Sequence, residues 1–162
     1  MILMNVSLHN RILNSRYLDD FRRLIPDVMY HITPHKRIKS ILADGILINQ
    51  PRTTVGGQIF GVYLSNDPEF LYEIGEYKAS ETGVIGVSTR QLLSDLYIDS
   101  EFYPNDPESI ESFLDDIKSG VNIISTYSTK AITRDLIRSV RLWLSLDNPL
   151  TRQVWFSEWD FP

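Results

Sequence analysis

At Thr33-Pro34, Asn66-Asp67-Pro68 and Asn105-Asp106-Pro107 a side chain able to cap a helix runs into proline. Each combination offers an N-cap oxygen and then a residue whose missing N–H costs nothing in a first helical turn, so each predicts a helix start. Gly45 and Gly120 follow apolar stripes at helical spacing and predict stops. The punctuation cuts the chain into short elements and leaves no room for a long helix bundle. Between the helices several strands follow one another directly. That order favours an α+β domain with a mixed, mostly antiparallel sheet and flanking helices over a doubly wound parallel one.

Hydrophobic spacing fills in the elements. Leu8, Ile12, Leu18, Phe21, Leu24 and Ile25 predict an amphipathic helix over 7–25, stopped by Pro26-Asp27. Val28 to Ile32 alternates as a strand, with Val28, Tyr30 and Ile32 on the expected apolar face and His31 and Thr33 opposite. Ile38, Ile41 and Leu42 mark the buried stripe of the next helix. Phe60–Ser65 predicts a second strand, with Val62 and Leu64 on one face and Gly61, Tyr63 and Ser65 on the other. Further strands are expected at 84–87, 96–102, 121–128, 139–146 and 153–159, and helices over 66–77 and from 105 to Gly120.

The 162 residues suit one domain, with an N-terminal helix over 1–27, a core over 28–142 and a C-terminal strand extension over 143–162. A net charge of -5 disfavours bulk coating of duplex nucleic acid. The charge is uneven: residues 1–45 carry seven basic and four acidic side chains, residues 46–119 four and thirteen. The absence of cysteine excludes disulfide scaffolds, thiolate metal sites and cysteine nucleophiles. His9, His31 and His35 have no metal-motif spacing, and neither a phosphate-binding glycine loop nor a Gly-x-Ser-x-Gly elbow occurs. The apolar runs are too short for a membrane span, and Met1–Met4 for a secretory leader, so the expected setting is cytoplasmic.

Two strand signals carry the chemistry. Tyr30-His31-Ile32-Thr33 leads into a helix ending Asp44-Gly45, and thirty residues on comes Gly61-Val62-Tyr63-Leu64-Ser65. If the two strands are neighbours, an imidazole, hydroxyls and an aromatic ring line one groove. Such a groove suits a flat aromatic ligand carrying a hydroxylated sugar, with the tyrosine stacking and the histidine donating a hydrogen bond.

On these residues, together with Ile41-Leu42-Ala43-Asp44-Gly45, Val84-Ile85-Gly86-Val87 and the stretch Tyr127–Val140, the sequence resembles the ADP-ribosyltransferase fold. That fold is shared by mono- and poly-ADP-ribosyltransferases and RNA 2′-phosphotransferases. The resemblance covers roughly residues 28–142 and implies a sheet split around a cleft for NAD, which is a substrate. It implies that His31 meets the adenosine ribose and Tyr63 stacks on nicotinamide. Thr33, Gly61 and Ser65 line the same groove, and Tyr72 completes the sandwich. The family's catalytic glutamate falls near Ser125 or Thr126, where neither residue is acidic. Glu101 or Asp99 is then the expected carboxylate, giving His31, Tyr63 and Glu101 as the catalytic set. The implied activity is transfer of ADP-ribose to a macromolecule, more readily a protein than a nucleic acid. The alternatives are a catalytically inactive member that binds or inhibits another protein and, more weakly, an RNA 2′-phosphotransferase using Arg37, Arg134 and Arg138.

Overall fold

Extended backbone runs through Pro34, the first proline expected to start a helix. The computed structural model describes residues 12, 16–48, 52–54, 57–59, 61–67, 82–99, 109–143 and 152–154. Of the long N-terminal helix expected over 7–25, the described helix is α1 (Tyr17–Arg23), with Phe21 fully buried. Strand β1 (Val28–Pro34) then includes Thr33 and Pro34, which pair with Gly83 and Thr82 of the neighbouring strand. Ladder pairing has overridden the local capping signal. A 3-10 turn at His35–Arg37 leads into α2 (Ile38–Asp44), whose N-terminus has no side-chain cap. Gly45 stops α2 as expected, at φ +80° with its N–H on the Ile41 carbonyl, 2.7 Å away.

Arg52–Thr54 (β2) and Gly57–Ile59 (β3) form a small antiparallel ribbon. The other strands are β4 (Val62–Ser65), β5 (Thr82–Ser88), β6 (Leu96–Ile98), β7 (Ser125–Ser128), β8 (Ile137–Trp143) and β9 (Arg152–Val154). They join β1 in a seven-stranded sheet of order β6-β7-β4-β1-β5-β8-β9. The fold is α+β, but every described pairing is antiparallel, so the sheet is not mixed. The helix expected to start at Asn66-Asp67-Pro68 lies mostly outside the described residues. Asn66 itself ties β4 to the approach of β7, its side-chain oxygen accepting from the Ile124 N–H at 2.9 Å.

Register identifies the core face. Met29, Ile85, Val87, Val62, Leu64, Leu96, Ile98 and Val140 share one side of the sheet and one hydrophobic cluster with Phe21, Ile38 and Leu42. Gly83 lets α2 settle there, since a Cβ at that position would run into the Ile38 side chain. The third helix, α3 (Ile110–Lys118), buries Ile110, Phe113, Leu114 and Ile117, the stripe read from the sequence. Its cap is Ser109, whose hydroxyl accepts from the Ser112 N–H at 3.0 Å, while 105–107 lie outside the described residues. Ser109→Ala is expected to lower stability by about 1 kcal/mol in a urea titration, with Ser109→Asp restoring most of it. Among the described residues no helix is long and apolar enough to cross a membrane.

Candidate functional site

The sheet is closely laddered on both sides of β1 and β4 but barely between them. Seven residue pairs join β1 to β5 and four join β4 to β7, whereas β1 meets β4 at the single pair Tyr30↔Ser65. Beyond that pair a side chain takes the place of the ladder. His31 Nδ1 lies 2.9 Å from the Tyr63 carbonyl oxygen. A carbonyl can only accept, so Nδ1 carries the hydrogen, and in the neutral ring Nε2 keeps its lone pair. Burial, opposed by this hydrogen bond and reinforced by the nearby Arg37 guanidinium, pushes the His31 pKa below its ordinary value. Near neutral pH the ring is therefore an uncharged acceptor toward a ligand. The ring does donate a hydrogen bond, as expected of it, but to the Tyr63 carbonyl, which takes the one hydrogen of the neutral imidazole.

At this parting of the strands lies a cleft of about 430 Å³. His31 and Thr33 of β1 and the segment Gly61–Tyr63 form its sheet side, and Gly45–Leu47 its far end. Its helical wall consists of Arg37, Ser40, Ile41 and Asp44. These four stand at i, i+3, i+4 and i+7, which is one stripe of a helix. Apolar periodicity marks only the neighbouring stripe of Ile38, Ile41 and Leu42, and polar residues at the same spacing carry no signal of their own until the helix is placed against the sheet.

The expected common face for His31 and Tyr63 is overturned. The Tyr30↔Ser65 pair sets Tyr63 and Ser65 on the side of Tyr30, while His31 and Thr33 share the core side with Met29 and Leu64. Both faces of β1 carry buried residues, Met29 on one and Ile32 on the other, so alternation alone could not identify the core side. The Tyr63 ring joins a cross-strand row, 6.2 Å from the Tyr127 ring, which in turn stacks on Tyr97 at 5.7 Å. Arg22 of α1 covers Tyr97, its guanidinium carbon 4.9 Å from the ring centre. What Tyr63 brings to His31 is its main-chain carbonyl.

The other expected site residues divide. Gly61 is required by packing, because a Cβ there would come within 2.9 Å of the Ser128 carbonyl oxygen. Ser65 is fully buried, and its hydroxyl accepts from the Asp67 N–H at 3.1 Å rather than lining the cleft. Ser125 and Thr126, where the family's glutamate falls, are buried in β7. The Ser125 hydroxyl donates to Asp99 Oδ2 at 3.3 Å, and the Thr126 hydroxyl donates to the Leu64 carbonyl, also at 3.3 Å. Asp99 is itself buried beside Tyr127, whose pKa is raised first by burial, then by Tyr97 and Asp99. Tyr72 and Glu101 lie outside the described residues. Among the described residues no cluster of three or more metal-ligating side chains occurs. No family model matches the chain, and no curated protein is significantly similar to it in sequence.

Proposed function

We propose that this protein is an NAD-dependent ADP-ribosyltransferase-like protein that acts on a macromolecular target. One observation carries the reading: β1 and β4 part at His31, which lines a cleft of about 430 Å³, and the Tyr63 carbonyl takes the Nδ1 hydrogen and leaves the neutral ring its Nε2 lone pair. A hydroxyl of the adenosine ribose is the matching donor. A split sheet with a strand histidine at its opening is also what the sequence resemblance implies. The cleft volume is in the range of small-molecule and cofactor sites. In this reading His31 and Thr33 hold the ribose end, and the nicotinamide end lies toward Gly61–Tyr63.

The test uses NAD labelled in its adenine ribose, incubated with the purified chain and a cell extract as the source of acceptors. Expected are saturable NAD binding and label that stays on macromolecules through denaturing electrophoresis. Absence of binding, of nicotinamide release and of transfer together would overturn the proposal.

A second reading, a non-catalytic member of the fold that binds another protein, is favoured by one specific feature. The place of the family's glutamate is taken by Ser125 and Thr126, and the nearest described carboxylate, Asp99, is buried against Ser125. It predicts a stable protein complex with no NAD consumption. Nicotinamide release that disappears in His31→Asn would exclude it.

A further inference from the structure

The rim of the cleft concentrates positive charge. Residues 36–39, from the 3-10 turn into α2, include Lys36, Arg37 and Lys39, in a chain whose net charge is -5. All three side chains are exposed, and the ion pairs among the described residues, Arg23–Asp20 and Lys130–Asp95, involve none of them. Arg37 lines the cleft, whereas Lys36 and Lys39 stand beside its lining on the outer surface. At i and i+3 the two lysines are surface neighbours, and their like charges repel. No acidic side chain in the first turn of α2 offsets that repulsion. An anion laid across both would.

Resting on the reading that this protein acts on a macromolecular target, we infer that Lys36 and Lys39 form the docking surface for that target, which meets them with an acidic segment of a protein. Carboxylates set against the two ammonium groups turn the repulsion into attraction, and a chain passing over them arrives at Arg37 and the mouth of the cleft. Two observations favour protein carboxylates over a nucleic-acid backbone. Residues 35–44 hold no Phe, Tyr or Trp on which bases could stack. Residues 46–119, with four basic and thirteen acidic side chains, repel a long polyanion, whereas a short acidic segment needs only the patch itself. The two lysines decide where the target sits and take no part in bond making.

The test is fluorescence anisotropy of the full chain with a labelled peptide of alternating glutamate and glycine, its glutamine counterpart, and a single-stranded oligonucleotide of equal charge, at low and high salt. The glutamate peptide is expected to bind at least about tenfold more tightly than the glutamine one, and to weaken several-fold at high salt. Lys36→Glu combined with Lys39→Glu should weaken it by about tenfold or more, and Lys36→Gln combined with Lys39→Gln by about threefold. Lys118→Glu, exposed on α3, should stay within about twofold of the wild type. Thermal melts serve as the folding control. Calorimetric titration with NAD should change by less than about twofold in the lysine variants, because neither lysine lines the cleft. Glutamate-peptide binding that is absent, or equal in the wild type and both double variants, overturns the inference. So does tighter binding of the oligonucleotide, which would make the patch a nucleic-acid surface. If the wild type takes up no NAD while peptide binding still falls on charge reversal, the transferase reading has failed and the docking surface stands, as that of the non-catalytic protein binder.

Discussion

His31→Asn is expected to leave the protein folded and to weaken NAD binding roughly tenfold or more. The asparagine amide nitrogen sits at the same bond count from Cβ as Nδ1, so it can still donate to the Tyr63 carbonyl that His31 reaches at 2.9 Å. It has no atom at the place of Nε2, and the ligand hydroxyl loses its acceptor. His31→Gln does the reverse: its amide oxygen reaches the Nε2 position, so part of the binding returns, while the bond to the carbonyl is given up. His31→Ala loses both. Its additional cost is a half-buried carbonyl without its donor, about 1–3 kcal/mol in a denaturant titration. Tyr63→Leu, by contrast, keeps the main-chain carbonyl and should hold NAD binding within about threefold. A collapse of binding in Tyr63→Leu alongside full binding in His31→Asn would refute this account of the site.

The same imidazole gives the site a pH dependence with a definite sign. Burial is the largest cause of its lowered pKa, and Arg37 adds to it. Below the ordinary imidazole value of about 6.5 the unfolded chain takes up a proton that the folded chain resists. Stability from this group is therefore complete above pH 6.5 and declines as pH falls through the window down to the folded pKa. Ligand affinity declines over the lower part of that window, because imidazolium has no lone pair at Nε2. Both slopes should vanish in His31→Asn, measured by urea midpoints and NAD titrations between pH 5 and 7.5.

The parts of this fold legible in the sequence are those decided by local spacing. The stripe of α3, the Gly45 and Gly120 stops, and the strands around His31 and Tyr63 all follow from periods and left-handed glycines. The errors share a cause, which is that long-range pairing outranks local preference. Thr33-Pro34 has every mark of a helix start, yet pairing with Thr82 and Gly83 keeps it extended. Alternation in β1 gives two sets of residues but not which one faces the helices, and only the register to β4 and β5 decides that. A strand buried on both faces removes the polar side that would otherwise settle the question. Of the residues expected to share one groove, His31, Thr33, Gly61 and Tyr63 line the cleft and Ser65 does not, and Tyr63 stands on the opposite face of the sheet from His31. Arg37, Ser40 and Asp44 are ordinary surface residues until α2 is placed over the opening.

Gly45 and Gly120 allow the second large effect to be separated into its parts. Both have positive φ, +80° and +81°, and both follow helices. Around Gly120 an added Cβ would meet nothing within 4 Å, so Gly120→Ala should cost only the backbone strain, about 1 kcal/mol. At Gly45 the pair φ +80°, ψ -174° belongs to a region almost confined to glycine, and an added Cβ would also run into the Ile132 carbonyl oxygen. That oxygen cannot withdraw freely. It accepts the Ile46 N–H at 2.8 Å, and the Ile132 N–H donates back to the Ile46 carbonyl at 2.9 Å. Gly45→Ala must therefore break this bridge or shift the end of α2, for a total of about 3 kcal/mol. For a chain of this size the expected fall in Tm is about 6–12 °C, against about 2–4 °C for Gly120→Ala. Since Asp44, Gly45 and Ile46 line the cleft, only the first variant should also lose NAD affinity at temperatures where both remain folded. Equal melting shifts in the two variants would show that the Ile132 contact does not hold the end of α2 in place, and with it the helical wall of the site.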